Sequence, residues 1–270
     1  MVCFTSSERR SCFSVFGTGR PLVLLHGITS SGRACVAQLG PFVAAGYQVT
    51  VADHAGHGAP ATLRVPVSVA DLADDVRTLL DELAIGSADV VGLSPGGLVA
   101  MQLALEAPER GGRLVIANSF PAFRGDGVRA MVQSWIETFR EPDGPTKRFE
   151  KTWPISASDA FCRAVEGIRM YQLPHGLATM AIGESLAHVA EGIVGFDAEA
   201  RLSHIDGDTV FVAVALDTMS TPALSRRIAD TGDVSNCRTP RICPTWTRRK
   251  RSTRPFSRSC PTRFDCGRNS

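Results

Sequence analysis

No stretch of this 270-residue chain stays apolar over anything near 18 residues, and that length is what a transmembrane helix needs. The amino-terminal MVCFTSSERRSCFSVFG has no long apolar core followed by a small-residue cleavage site. A secretory leader is therefore not expected, and a cytoplasmic location is the default reading. Cys3, Cys12, Cys35 and Cys162 are too scattered to suggest a disulfide framework. Cys237 with Cys243, and Cys260 with Cys266, have five residues between the members of each pair. That spacing does not match the usual zinc patterns, so no metal is expected. Two further absences matter more. No histidine follows His204, and residues 231–270 contain no Leu, Ala, Glu, Met or His.

What is present fits a globular α/β chain. With 44% hydrophobic and 21% charged residues, it is long enough for one α/β domain carrying an insertion. The net charge of +2 hides a division: the last 40 residues hold ten Lys and Arg against two Asp, leaving the tail at +8 and the remainder at −6. No part of that tail has a period of 2 or 3.6, so it is read as disordered.

The informative stretch is Ala88 to Ala104, ADVVGLSPGGLVAMQLA. An apolar run ends at Leu93, Ser94 follows, and Gly96 and Gly97 open a segment of helical composition. This is a strand, a sharp turn and a helix, and Gly92-Leu93-Ser94-Pro95-Gly96 fits the G-x-S-x-G nucleophile elbow. Pro95 is unusual there. The residue after the nucleophile normally donates its N–H to the oxyanion, and proline has none. Proline is nevertheless well suited to the first position of a helix, so the fold tolerates what the chemistry does not.

Pro21 to Leu25 reads as a buried strand running into His26-Gly27-Ile28-Thr29, and Gln48 to Asp53 as a strand entering Asp53-His54-Ala55-Gly56-His57-Gly58. Ser68 with Asp71 makes a capping-box-like helix start. Leu72, Val76, Leu79, Leu80 and Leu83 follow at helical spacing as core. Arg113 to Asn118 is a further strand. Strands alternating with helices imply a parallel sheet covered on both faces, with its reactive loops at the carboxyl ends. From Phe120 to about Ala200 helical segments take over. Val128, Met131, Val132, Trp135, Ile136 and Phe139 share one face, and Ala160 to Gln172 and Leu177 to Ile193 are further helices. Thr209 to Leu216 is the last clear strand and leads into Asp217, with Thr221-Pro222 beyond it.

PLVLLHG, the GHG turn, VVGLSPGGLVAMQLALEAPER and LDTMSTPALSRRIAD together resemble the alpha/beta-hydrolases, and within them the 3-oxoadipate enol-lactone hydrolase-like branch. Carbon-carbon bond hydrolases and cofactor-free perhydrolases share nearly all of these features. The resemblance covers residues 20–231 and implies a doubly wound, mostly parallel sheet with a helical cap inserted after the sixth strand. The core would comprise residues 1–119 and 201–230, the cap residues 120–200, and the basic tail residues 231–270. It further implies Ser94 as nucleophile, Asp217 as the acid of the triad and the N–H of Ile28 as an oxyanion donor. Catalysis would run through an acyl-enzyme, without metal or organic cofactor. His26, His54 and His57 are read as structural. The substrate implied is a small ester or lactone, and neither a membrane nor a nucleic acid is an expected partner.

The family's last edge strand and its catalytic histidine are missing, so the enzyme is expected to be impaired as written. Two rival readings remain. One is a non-catalytic relative that binds a small molecule under the cap. The other is a nucleic-acid or metal module built on the tail, where Thr247-Arg248-Arg249-Lys250-Arg251 lies near Trp246 and Phe256.

A shift of reading frame near the codon for Thr231 would account at once for the missing strand, the missing histidine and the altered composition. Translation of the same DNA in the other two frames is expected to give a short apolar strand and then a loop with histidine about 20 to 30 residues on, in the chain order serine, acid, histidine. If neither frame contains that pattern, a genuine basic tail is the better account.

Overall fold

The computed structural model describes residues 1–58, 62–155, 159–173, 176, 181–205, 209–214, 233–235 and 244–248. The chain opens with an antiparallel hairpin, β1 (Val2–Ser6) and β2 (Arg9–Phe16), followed by β3 (Arg20–Leu25), α1 (Val36–Ala44) and β4 (Tyr47–Asp53). Next come α2 (Val69–Glu82), β5 (Ala88–Leu93), α3 (Pro95–Glu106) and β6 (Gly111–Ala117). The strands form one sheet in the order β1-β2-β4-β3-β5-β6-β7-β9-β8, in which β7 is Thr209–Val214, β8 Asp233–Ser235 and β9 Pro244–Arg248. Pairing is parallel from β4 through β3, β5 and β6 to β7, and antiparallel at both margins.

The central strands read as continuous apolar runs because both faces are buried. Leu22 and Leu24 of β3 join Val49 and Val51 beneath Leu39, Phe42 and Val43 of α1. Val23 and Leu25, on the opposite pleat, belong to the larger core with Leu72, Val76, Leu79 and Leu80 of α2 and with α3. The start of α2 is the capping box anticipated from Ser68 and Asp71: Ser68 Oγ accepts from the Asp71 N–H, and the Asp71 carboxylate accepts from the Ser68 N–H.

At the amino ends of the central strands the buried carboxylate of Asp89, on β5, accepts from Arg20 of β3 at 2.7 Å. It also accepts from the backbone N–H and guanidinium of Arg113 on β6. One acidic side chain thus ties three adjacent strands together at the end opposite Ser94.

Between β6 and β7 the chain leaves the sheet and forms helices, as a cap inserted after the sixth strand requires. These are α4 (Asp126–Arg140), α5 (Gly144–Thr152), the short α6 (Asp159–Arg163) and α7 (Val165–Gly167), a π-helical turn over Ile168–Gln172, and α8 (Gly183–Ile193). Val132, Ile136 and Phe139 of α4 are buried, as are Leu186, Val189, Ala190 and Ile193 of α8. The single helix expected over Ala160 to Gln172 is instead broken at Ala164, whose extended backbone (ψ 148°) interrupts the helix.

Two further expectations are corrected. Cys3 and Cys12 face each other across the hairpin and form a disulfide; their separation along the chain gives no hint of it, because strand register decides the meeting. The outer edge of β7, which a missing last strand would leave open, is covered by β9, from the tail read as disordered, which pairs along it antiparallel from Val210 to Val214. An exposed row of backbone donors and acceptors recruits any segment able to extend, and Thr245-Trp246-Thr247 are strand-forming residue types. No strand parallel to β7 follows it among the described residues, in keeping with the strand found missing from the sequence.

In a non-reducing digest a peptide linking Cys3 to Cys12 is expected, and opening the link should lower stability by on the order of 2–4 kcal/mol. Full alkylation of both residues in unreduced, folded protein would contradict the pairing.

Candidate active site

Ser94 stands where β5 gives way to α3, with φ 54° and ψ −119°. A serine is held in that sparsely populated region only when its surroundings fix it there. They do so through hydrogen bonds from the Ser94 N–H to the Ala117 carbonyl at 2.9 Å and from the Gly97 N–H to the Ser94 carbonyl at 2.8 Å. The glycines are needed for contact rather than for flexibility. A methyl group on Gly96 would overlap the carbonyl of Leu25, and one on Gly92 would overlap the carbonyl of Gly96. Pro95 is the first residue of α3, so the residue following Ser94 offers no N–H.

The loop after β3 closes against the elbow. A Cβ built on Gly27 would lie 3.5 Å from Ser94 Cβ, which puts the next residue, Ile28, beside the serine. The Ile28 N–H makes no hydrogen bond among the described residues. Thr29, at φ 58°, donates its hydroxyl to the Ile28 carbonyl at 2.6 Å and holds the loop in its turn. Asp53, at the end of β4, accepts the Gly32 N–H at 2.6 Å and anchors the same loop from the far side. Leu93, which precedes the serine, is 40% exposed and gives the mouth of the site an apolar edge.

His26, His54 and His57 form a buried cluster under these loops, with ring centroids 4.7 and 4.8 Å from His26 to the other two. His26 Nε2 accepts the His54 N–H at 3.1 Å, and its Nδ1 lies 2.7 Å from the Gly27 carbonyl, to which it donates. Both nitrogens of His26 therefore hold backbone, which supports the structural reading. Burial, reinforced by the other two rings, holds His54 well below its ordinary range, and burial pushes His57 down to about 3. His26 is also lowered, again chiefly by burial, against the opposing pull of Asp53.

Of the site residues expected from the sequence, Ser94 lies against Gly27, the chain neighbour of Ile28. Asp217 lies outside the described residues, as does Thr221-Pro222. No described histidine is hydrogen-bonded to Ser94: His188 lies against Glu191 and Glu184, and His204 is exposed. Among the described residues no group of side chains is arranged to hold a metal ion, and no helix there is long and apolar enough to cross a membrane.

The sequence model of the alpha/beta hydrolase fold matches residues 20–152. The RutD protein of Variovorax paradoxus, which carries the provisional name of a carbamate hydrolase, is 32% identical over 216 residues, covering 78% of this chain and 79% of its own. The chain belongs to the alpha/beta-hydrolase superfamily. A pimeloyl-[acyl-carrier protein] methyl ester esterase from Photobacterium profundum is 37% identical over about half of each chain. Among solved structures, a hydrolase from Pseudomonas aeruginosa superposes with a TM-score of 0.77 at 25% identity, covering 85% of both chains. The enol-lactonase of Burkholderia xenovorans reaches 0.76 at 20% identity, covering 85% and 87%, a likeness of fold.

The histidine cluster sets an acid limit on stability. Each ring binds its proton less readily in the folded than in the unfolded chain, so the unfolded state takes up more protons below about pH 6.5. Stability is then full above that pH and falls as the pH drops toward the folded value of about 3 for His57. Melting curves are expected to lose about 1.4 kcal/mol per pH unit for each histidine involved, and His57→Gln to lessen the slope if the fold survives. A melting temperature flat between pH 6.5 and 4 would refute this.

Proposed function

We propose that this chain is a serine hydrolase for a small carboxylic ester or enol-lactone, impaired as written. The observation that carries the reading is the strained turn at Ser94 packed against Gly27, in the loop that carries the unbonded N–H of Ile28. In the reaction Ser94 Oγ adds to the ester carbonyl carbon while its proton passes to a base. The tetrahedral oxyanion is held by backbone N–H groups, and the alcohol or enol oxygen then leaves with a proton. Water repeats the sequence on the acyl-enzyme and releases the acid. Ile28 supplies one oxyanion donor and Asp217 is the candidate acid for orienting a base. The helical segment over residues 120–200 closes over the substrate.

Two parts are deficient. The second oxyanion donor is lost at Pro95, a change worth about 100- to 1000-fold in rate, and no histidine follows Asp217 to serve as base. A site that has lost a triad member keeps only about 1000- to 10000-fold over water. The relatives are compatible with an ester, a lactone or a carbamate as substrate, and the enol-lactone branch is our preferred placement. The same two losses favour a second reading, a non-catalytic relative that binds such a molecule under its cap.

Hydrolysis of short-chain p-nitrophenyl esters separates the two. A slow rate is expected, abolished in Ser94→Ala and raised by up to about 100- to 1000-fold in Pro95→Met, with kcat rather than KM responding. If neither substitution changes the rate, the serine is not acting as a nucleophile and the binding protein is the better reading.

A further inference from the structure

Arg148, on α5, is the one arginine among the described residues that is buried, with 9% of its surface exposed. Its Nε has no hydrogen-bond partner, and no ion pair or hydrogen bond to its guanidinium exists among the described residues. Its backbone carbonyl accepts the Thr152 hydroxyl. The neighbouring arginines behave differently: Arg124 holds Asp197 and Glu199, and Arg140 holds Glu184 and Glu191. Those two are half-exposed, where an ion pair contributes little. The cation most in need of a counter-charge has none among the described residues.

The guanidinium lies 4.7 Å from the centre of the Trp135 ring, on α4. Attraction to the ring face offsets only part of what burying an unpaired cation costs. Burial lowers the Arg148 pKa to about 10, which still leaves it charged at neutral pH. A buried, charged and unpaired group is a persistent source of instability, and such features are retained where function needs them. Nε is closed off, but the two terminal Nη groups are not among the occluded atoms, and their paired N–H groups form the end of the fork that takes both oxygens of a carboxylate. With a single cation present and an aromatic ring on one side, one carboxylate group, whose single charge is spread over two oxygens, suits the site better than a phosphate whose two charges lie on one group.

We infer that Arg148 and Trp135 form a carboxylate-binding site in the helical insertion, which receives the free acid group of an organic anion. If the chain is the hydrolase proposed above, its ester or lactone carries a second, unesterified carboxylate. That identification rests on the hydrolase reading; the binding itself does not involve Ser94.

The test is calorimetric titration of the full chain with succinate, with succinamide as the neutral control and inorganic phosphate at matched ionic strength. Saturable succinate binding is expected, with succinamide silent and phosphate weaker. Arg148→Met should weaken succinate by about 10- to 100-fold, the loss of a charged hydrogen-bonding partner. It should also melt at or above the wild-type temperature, because an unpaired buried cation is gone, and succinate should no longer raise that temperature. Ser94→Ala should bind succinate as the wild type does, so this result stands or falls apart from the hydrolase reading. Absence of succinate binding by the wild type, unchanged binding by Arg148→Met, or tighter phosphate binding would each overturn the assignment. If Arg148→Met does not fold, Arg148→Gln gives the same readout. Failure of both to fold makes Arg148 a structural residue and overturns the site as well.

Discussion

Everything at the carboxyl edge of the sheet depends on how closely the first turn of α3 passes the ends of β3 and β5. The backbone of Gly96 packs on the carbonyl of Leu25 and that of Gly92 on Gly96, with no room for a single carbon between them. That contact forces Ser94 into a positive φ and turns its side chain away from the sheet, and it brings the His26–Ile28 loop alongside. A larger residue at either glycine would move the helix and dissolve the site before any chemistry was altered. The buried apolar length of α3, from Leu98 to Ala104, keeps the helix seated while the turn is under strain.

Around that contact the framework of the loops is held in detail. Three buried imidazoles, Asp53 and the Thr29 hydroxyl still shape the loops beside the serine, and each is engaged with backbone or packed against its neighbours. Pro95 occupies its place without disturbing α3, because a helix has no use for an N–H at its first position. Two requirements therefore separate at one residue: the side chain that suits the helix start also leaves the position after Ser94 without an N–H.

The elbow was legible in the sequence because it is local. Strand, turn and helix lie within 17 residues, and the glycines mark the close approach. The capping box of α2, the alternation of core residues in β3 and the amphipathic face of α4 were legible for the same reason. The Cys3–Cys12 pairing was not, since it depends on hairpin register, which neither the spacing nor the polarity of MVCFTSSERRSCFSVFG announces. The break at Ala164 was hidden too, because alanine favours helix and only tertiary surroundings displace it. Arg148 carried no signal at all: one arginine among many becomes distinctive only when its burial and lack of a partner are known. The strand at Pro244–Arg248 was missed because its pairing is with the edge of β7, far away in sequence.

Asp89 has a further consequence, at the other end of the molecule. By gripping Arg20 on one side and Arg113 on the other, it sets how β3, β5 and β6 are staggered relative to one another. A slip of one residue between any two of these strands would leave a buried carboxylate or a guanidinium without its partner. The alignment of the scaffold is thus specified from below, at points that substrate never reaches. Loops on the upper side can be lengthened, shortened or exchanged over generations without the strands losing their alignment, and the same framework can be refitted to new ligands.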